Sequence, residues 1–489
     1  MAHIMHNFSH FGISILQKRR IIVTRMIRLF IAFFIAGALC MVTGCSGGGS
    51  GVVFYGNTPV TIQKKNGYYT VTLDYTSTTH REMGRQYALA IKAAVPEYER
   101  IIDNLLYIQA GILSQATNGL VTFDTAVARA RLLVKNLNPD YQDEIAGMQE
   151  VFNHIGGELG DGHLSQDKLL VFLLFPDVLR PSSCSASAAF GDASVTGKTI
   201  LGRNLDWFSA TLKSAAAVHA ITTFKNGSKS ICNVSVLGQL AAGSMFNAHN
   251  IFGAVLDAET GAAYPAITGD MHSYVFDLRY ALENNSTLSD VANYMVRYGY
   301  TFNHLIFLAD QNRAGVVENY VNLNGGTVTG RGLRVDTSAL NQNLPPTQLW
   351  GITGAVATVN DFRLPNNFNG GDVPEFAYNT SRWASFLRYY GLISAKGLKF
   401  DTDLMKTVTG YPGPGFNGEM EQGAIFLSEP VLPTNKLSPS FAPQYSFGYG
   451  TLHSIVMKMD TMEMWIHFTP QADFPPLLPN YRQISNPLY

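Results

Sequence analysis

The segment from Cys184 to Trp207 constrains the fold of this chain more strongly than any other part of the sequence. It begins with Cys184-Ser-Ala-Ser-Ala-Ala, a run of small residues typical of a buried strand, and ends with Gly202-Arg-Asn-Leu-Asp-Trp. Gly197-Lys198, between the two runs, is typical of a turn. The sequence therefore predicts a β-hairpin that carries a thiol on one strand and a cation and a carboxylate on the next.

The chemistry of a thiol explains why these three side chains belong together. A thiol becomes an effective nucleophile as a thiolate, which a nearby base or cation favours. Arg203 would stabilise the thiolate of Cys184, and Asp206 would accept hydrogen bonds from the α-amine that this cysteine carries when it is a chain end. Residues three apart on a regular strand face opposite sides, so we expect the strand to end, bend or bulge near Asn204. The alternative is a surface Arg-Asp pair beside a structural cysteine.

Cleavage of the chain before Cys184 would supply the base that the thiol needs. If the bond between Ser183 and Cys184 is broken, the cysteine gains an α-amine, whose pKa of about 7.7 to 8.0 leaves a useful neutral fraction near neutral pH. Before cleavage, the same thiol could attack the preceding carbonyl group. The sequence therefore predicts self-cleavage between Ser183 and Cys184.

The two runs of this hairpin resemble the choloylglycine hydrolase, acid ceramidase and isopenicillin N acyltransferase group of N-terminal-nucleophile hydrolases. Further stretches of the chain resemble the same group: Gly243 to Gly253 with its Asn247, Thr301 to Asp310 with its Asn303, and the closing hairpin of Gly450 to Val456 with Met464 to His467. The resemblance covers about residues 184 to 468, with an unmatched region around residues 325 to 375.

The resemblance implies a fold and a set of site residues. The fold is a four-layer αββα sandwich of the α/β (α+β) class, and no cofactor or metal is expected. Asn247 and Asn303 would help to form an oxyanion hole, while Asn204 and Arg382 would contact the oxyanion or the substrate. Independently of any family, attack on an amide creates an oxyanion that such donors stabilise by roughly 3 to 4 kcal/mol each. Taken alone, either of the first two asparagines is also typical of a turn or a strand end.

The chain falls into four predicted segments. Residues 1–45 form a signal peptide, residues 46–55 a flexible tether, residues 56–183 a mostly helical leader, and residues 184–489 the catalytic domain. In the leader, helices are predicted from Thr79 to about Ile108 and at 125–136 and 140–153, after short strands at 60–62 and 69–73. Beyond it, strands are predicted at 184–190, 197–205, 215–224, 230–237, 251–256, 304–309, 314–320, 450–458 and 461–468, with helices at 286–298 and 380–395.

The first 45 residues have the pattern of a lipoprotein signal. A basic patch that includes Arg25 and Arg28 precedes the apolar run from Leu29 to Val42, and Val42-Thr-Gly-Cys45 resembles the bacterial lipobox. Acylation of Cys45 would hold the exported protein on a bacterial membrane, at its periplasmic or outer-surface face. An uncleaved membrane anchor is the alternative, because the apolar run is near the lower length limit for a spanning helix.

Two cysteines, Cys184 and Cys232, remain after the signal. In an oxidising compartment they could form a disulfide, which the sequence leaves open. A papain-like pairing of Cys184 with a histidine also stays open; candidates are His249, His304, His453 and His467. The formal net charge of −1 and the absence of a long basic run outside the N-terminus argue against nucleic acid as a partner.

These features together predict an enzyme for carbon–nitrogen bonds other than ordinary peptide bonds. The chain would be a self-processed cysteine hydrolase of linear amides that works through an acyl-thioester, and its two chains would remain associated. Its substrate would be a small acylated amide. The alternatives are an acyltransferase of the isopenicillin N type and a catalytically inactive lipoprotein that keeps the fold for binding.

Overall fold

The structure is a computed structural model. It describes residues 52–54, 59–116, 119, 121–179, 184–258, 267–320, 330–340, 344, 348–365, 367, 377–412, 425, 448–470 and 478–488. The chain divides into two units, Met1–Ser50 and Gly51–Tyr489. The predicted signal peptide, with Cys45, lies outside the described residues. In the described ranges, no helix is both long enough and apolar enough to span a membrane.

The strands of the second unit are numbered in chain order. They are β1 (Val52–Phe54), β2 (Val60–Lys64), β3 (Tyr69–Asp74), β4 (Cys184–Ala189), β5 (Ile200–Ala210), β6 (His219–Lys225), β7 (Ile231–Val236), β8 (Ser244–Asn247), β9 (Phe252–Asp257), β10 (Met271–His272), β11 (Gly299–Tyr300), β12 (His304–Ala309), β13 (Ala314–Asn319), β14 (Arg331–Arg334), β15 (Ala355–Thr358), β16 (Gly448–Lys458), β17 (Glu463–Phe468) and β18 (Arg482–Ile484).

The α-helices are numbered in the same way. They are α1 (His80–Ala94), α2 (Tyr98–Ala116), α3 (Phe123–Leu133), α4 (Pro139–Val151), α5 (Gln166–Leu173), α6 (Phe175–Leu179), α7 (Tyr274–Asn284), α8 (Leu288–Met295), α9 (Ala377–Ala395) and α10 (Thr402–Thr409).

Most of the strands belong to two large sheets. One has the order β1-β2-β3-β6-β7-β8-β9-β12-β13-β14 and the other the order β15-β4-β5-β16-β17-β18. Neighbours are antiparallel in both sheets except for β3 and β6, which run parallel. The short strands β10 and β11 form a separate parallel pair.

The two sheets pack face to face, and helices cover both outer faces. On β12, Leu305 and Phe307 join the core between the sheets, whereas Ile306 and Leu308 join the core under the helices of the leader. On the other sheet, the outer residues pack against Trp383 of α9 and its neighbours. Strands with both faces buried read as continuous apolar runs, as β12 does. The predicted four-layer αββα arrangement is confirmed.

The leader contributes strands as well as helices to these layers. Its strand β3 pairs with β6 over six residues, from Tyr69 opposite Ala220 onward. The helical segment predicted to continue, with turns, from Thr79 to about Ile108 consists of two helices, α1 and α2, because Pro96 lacks the N–H that a continuous helix requires. Thr79 begins the first of them by accepting a hydrogen bond from the backbone of Glu82.

The sequence analysis did not predict several elements, among them α7 and β15. Helix α7 is buried around most of its circumference, from Tyr274 to Leu282, so it lacks the polar face that marks a helix in sequence. Strand β15 has four residues and lies inside the region around residues 325 to 375 that had no match. Helices α5, α6 and α10 are similarly short.

Helices α1 and α4 cross at a point where each contributes a glycine. A Cβ atom on Gly84 would lie 2.0 Å from the carbonyl oxygen of Glu144, and one on Gly147 would lie 1.9 Å from that of Arg81. Glycine therefore lets the two backbones touch. The same crossing presents the buried carboxylate of Glu144 to Arg279 of α7, with N–O distances of 2.6 and 2.9 Å, so it joins the leader to the rest of the molecule.

We predict that Gly147→Ala destabilises the protein, because the new methyl group must push α4 away from α1. The expected loss in the free energy of unfolding is about 1 to 3 kcal/mol, the usual cost of overpacking. Urea unfolding followed by circular dichroism measures it.

The matched control is Gly111→Ala in α2, where a Cβ atom would meet nothing within 4 Å. There the better helix propensity of alanine should leave stability unchanged or raise it by about 0.5 to 1 kcal/mol. Equal effects of the two substitutions would contradict the close crossing.

Candidate active site

The predicted hairpin is present as β4 and β5. Cys184 is the first residue of β4 and lies opposite Leu205, while Ala186 lies opposite Arg203. Cys184, Ala186 and Leu205 all belong to the core between the two sheets. The thiol therefore lies in the buried layer between the sheets, at the end of its strand.

The irregularity expected near Asn204 occurs in the neighbouring strand. Strand β16 pairs with β5 through Thr451 opposite Asp206 and His453 opposite Leu205, so Leu452 is an extra residue at that point. A bulge of this kind increases the local twist of the pair. The bulge lies opposite the part of β5 where Arg203 and Asp206, on opposite faces of a regular strand, both have to approach Cys184.

Arg203 and Asp206 both act on the thiol of Cys184. Burial raises the pKa of this thiol, and the positive charge of Arg203 opposes that effect. The negative charge of Asp206 raises the pKa further, whereas hydrogen bonds from the Arg203 side chain and the Asp206 backbone lower it. The thiol is thus surrounded by groups that can stabilise charge on sulfur, although burial favours its protonated form.

The guanidinium group of Arg203 is fixed by backbone carbonyl groups. It donates hydrogen bonds to the carbonyl oxygen of Asn204 and, at 2.7 Å, to that of Val255 in β9. Val255 belongs to the opposite sheet, so this fully buried cation bridges the two sheets beside the thiol. Its orientation does not depend on the thiol alone.

Asp206 is held from two other elements. Arg382 of α9 donates to its Oδ2 at 2.8 Å, and Thr451 of β16 donates to its Oδ1 at 2.6 Å. Burial raises the pKa of Asp206, and the charge of Arg382 and the hydroxyl group of Thr451 oppose this. Arg382, which the resemblance had suggested, is therefore brought into the site. Thr451 was missed, although it lies in the closing hairpin that the resemblance covered.

The nitrogen of Cys184 donates to a residue that the sequence analysis also missed. Its acceptor is Oδ1 of Asn360, at 2.7 Å, and Arg382 donates to the same oxygen at 3.1 Å. Asn360 in turn donates to the carbonyl oxygen of Asp257 at 2.7 Å. Asp206 is predicted to accept from the α-amine of a cleaved chain; in this structure its carboxylate accepts from Arg382 and Thr451. A polar pair, Asn360-Asp361, directly after the apolar run of β15 was the signal in the sequence.

The structure does not bring Asn247 to the thiol. Its Oδ1 accepts from the backbone nitrogens of His249 and Ile251, and its Nδ2 donates to the carbonyl oxygens of Leu282 and Asn285. Its oxygen is thus used in the turn between β8 and β9, and both N–H donors are used at the C-terminal end of α7. This turn lies at the opposite end of β9 from Asp257, so Asn247 does not take the oxyanion position expected for it.

Asn204 and Asn303 differ in their position. The Nδ2 of Asn204 donates to the carbonyl oxygens of Thr409 and Ile425, so this side chain faces α10 and not the thiol. Asn303 precedes β12, and its carbonyl oxygen accepts from Ala258, the residue after β9. Asn303 therefore lies where β9 ends and β12 begins, close to Asp257, whose carbonyl oxygen accepts from Asn360.

Ser183, the two cysteines and His453 were also singled out in the sequence of this region. Ser183 lies outside the described residues. Cys184 and Cys232 are both free and buried, on different sheets. His453 contacts Ser244 at 3.2 Å between the sheets, and burial together with the charge of Arg203 holds its pKa well below the usual value. A histidine in that state is neutral.

Chains of solved structures are similar to this chain. One is the Caenorhabditis elegans N-acylethanolamine-hydrolyzing acid amidase ortholog, with 13% identity, a TM-score of 0.33, and coverage of 56% of this chain and 93% of that chain. Conjugated bile acid hydrolase from Clostridium perfringens, as its C2A mutant, has 10% identity, a TM-score of 0.36, and coverage of 62% and 92%. Penicillin V acylase from Agrobacterium tumefaciens has 13% identity, a TM-score of 0.31, and coverage of 62% and 86%.

All three are members of the N-terminal-nucleophile hydrolase group that the hairpin residues resemble. At these identities and TM-scores the likenesses carry no argument about the activity or the site residues of this chain. No protein-family model and no curated protein sequence matches it.

We predict that Arg382→Leu destabilises the protein strongly and in a pH-dependent way. The substitution leaves the buried carboxylate of Asp206 without its cation, which costs about 3 to 5 kcal/mol. The folded-state pKa of Asp206 then rises further above its unfolded value, so stability falls as pH increases through that window. Urea unfolding, with the Arg382→Leu substitution made in a Cys184→Ala chain, should show a larger loss in the free energy of unfolding at about pH 8 than at about pH 5.

Arg388→Leu is the matched control, because Arg388 is exposed on the same helix. Its effect should stay within about 0.5 kcal/mol at both pH values. A loss for Arg382→Leu that does not change with pH would contradict the pairing with Asp206.

Proposed function

We propose that the protein is a self-processed cysteine amidase with Cys184 as its nucleophile. One observation carries the proposal: different buried side chains interact with the nitrogen and with the sulfur of Cys184. Asn360 accepts from its nitrogen, and Arg203 acts on its sulfur. Any buried backbone N–H needs an acceptor, but a structural cysteine has no need for a buried cation at its sulfur, whereas a nucleophile that becomes a chain end uses both groups.

Self-cleavage would proceed by a shift of the acyl group from nitrogen to sulfur. The sulfur of Cys184 attacks the carbonyl carbon of Ser183, the carbon–nitrogen bond breaks, and the nitrogen takes up a proton to become the α-amine. Water then hydrolyses the thioester and returns the thiol. Arg203 favours the negative sulfur at the start of this sequence.

The processed enzyme would repeat the same chemistry on its substrate. The α-amine accepts the proton of the thiol, the sulfur attacks the amide carbonyl of a small acylated substrate, and the amine part leaves with a proton. Water discharges the thioester, or an amine does so in an acyltransferase. Asn303 is our candidate for an oxyanion donor, because it lies where β9 ends and β12 begins, next to the Asp257 carbonyl group that Asn360 contacts.

The two chains produced by cleavage should stay together. The leader supplies β2 and β3 to the ten-stranded sheet, and Asp177 in α6 accepts from Ser273 at 2.6 Å and from the backbone of Tyr274 at 3.0 Å. Separating the chains would expose a sheet edge and the apolar faces of the six leader helices α1 to α6. Acylation at Cys45 and location on a bacterial membrane complete the proposal, on the sequence pattern alone.

We predict that Cys184→Ala abolishes both self-cleavage and acyl transfer, because it removes the nucleophilic sulfur. Cys184→Ser should retain slow cleavage, since a hydroxyl group is a weaker nucleophile. Intact-mass spectrometry and N-terminal sequencing of the purified protein provide the measurement. A fragment that begins at Cys184 is expected for the wild-type chain.

Cys232→Ala is the matched control, because Cys232 is also buried and free but lies on the other sheet. It should be cleaved normally. Normal cleavage of the Cys184→Ala variant would end the proposal. An intact wild-type chain would favour the binding-protein alternative.

A substrate screen separates a hydrolase from an acyltransferase. The processed protein is assayed with and without an added amine on N-acyl amino acids, bile-salt amides, penicillins and fatty amides.

The rate of self-cleavage should increase with pH. Burial raises the pKa of the Cys184 thiol, so the reactive thiolate is a minor species at neutral pH and becomes more abundant as pH rises. Wild-type chain refolded from urea into buffers between about pH 6 and about pH 9 can be followed by mass spectrometry. A rate that falls across this range would show that the thiolate does not initiate cleavage.

A further inference from the structure

Asn360 and Arg382 belong to different elements, yet the next residue in each contacts the same guanidinium group. Asp361 accepts from Nε and Nη2 of Arg363, at 3.1 and 2.5 Å. Trp383 lies with its ring centroid 4.3 Å from the guanidinium carbon of Arg363. One side chain therefore touches the neighbours of both groups that meet at the nitrogen of Cys184.

Arg363 is itself fixed from several directions. Its Nη1 donates to the side chain of Gln348 at 3.0 Å, and its backbone nitrogen donates to both carboxylate oxygens of Glu318 at 3.0 Å. Glu318 also accepts from Arg334 at 2.8 Å and from the backbone of Leu364 at 2.9 Å. These charged side chains are buried, and in such surroundings directional bonds hold a group more tightly than in water.

This cluster links both sheets to the site. Glu318 and Arg334 lie on β13 and β14 of the ten-stranded sheet. Arg334 also donates to the carbonyl oxygen of Ala357 at 2.9 Å, in β15 of the six-stranded sheet. Asn360 follows that strand by two residues. The segment that carries the acceptor for Cys184 is thus clamped before and after Asn360.

We propose that Arg363 is a positioning residue for the self-cleavage and amidase chemistry, an inference that rests on the proposed function. It aligns Asn360 and Arg382 so that they meet at the nitrogen of Cys184. The fork of the guanidinium group grips Asp361, and its face stacks on Trp383. A lysine could supply the charge but neither the fork nor the flat face, so the substitution of arginine by lysine is not conservative here.

The experiment is to measure the rate of self-cleavage of Arg363→Lys by mass spectrometry after refolding. We expect cleavage about 10-fold to about 100-fold slower than in the wild-type chain, the effect of a small misplacement of a reacting group. Arg313→Lys is the matched control, because Arg313 is half-exposed and pairs with the surface residue Asp310. It should cleave at the wild-type rate.

A second measurement separates positioning from general loss of stability. If Arg363 acts through Asn360, then Arg363→Lys should slow cleavage much less in an Asn360→Ala background, whereas its effect on the unfolding midpoint should persist. Fully additive effects on the rate would overturn the inference, as would wild-type cleavage by Arg363→Lys. If that variant does not fold, Asp361→Asn serves in the same cycle with the same expectation. An uncut wild-type chain would contradict the proposed function itself and this inference with it.

Discussion

The site depends on the two hydrogen bonds that the buried guanidinium group of Arg382 donates. It donates to the carboxylate of Asp206 and to the side chain of Asn360, and none of the three side chains is exposed. A buried carboxylate without a cation is costly, and an amide without a fixed partner turns freely. Because Arg382 comes from the outer helix α9, the helical layer determines how β5 and the segment after β15 meet at Cys184.

The double sheet supplies the surroundings that such a site requires. Among the described residues, apolar side chains form a core between the sheets, and several polar contacts cross the same layer. Arg203 bridges to the carbonyl oxygen of Val255, and His453 meets Ser244. Cys184 is the first residue of its strand, and its backbone N–H donates to the side-chain amide of Asn360. A charge that develops there is screened little by water, so each fixed donor has a large effect.

The sequence predicted the parts of this arrangement that are local. The hairpin follows from alternating small residues and a turn at Gly197, and the need for a bulge follows from the three-residue spacing of Arg203 and Asp206. Asn360 could not be placed in that way, because its role depends on the pairing of β15 with β4, two segments more than 160 residues apart. Asn247 shows the converse: a motif position suggested chemistry, yet both of its amide donors bond to carbonyl oxygens at the end of α7, those of Leu282 and Asn285.

The position of the proposed cleavage follows from the same geometry. A cut inside a strand would remove ladder hydrogen bonds from both sides of the break, whereas a cut at the first residue of β4 leaves the ladders to β5 and β15 intact. The new amine would also need an acceptor that is present beforehand, and Asn360 already holds that nitrogen in the uncut chain. With this contact already in place, the proposed cleavage would change the chemistry of Cys184 without requiring the surrounding layers to move.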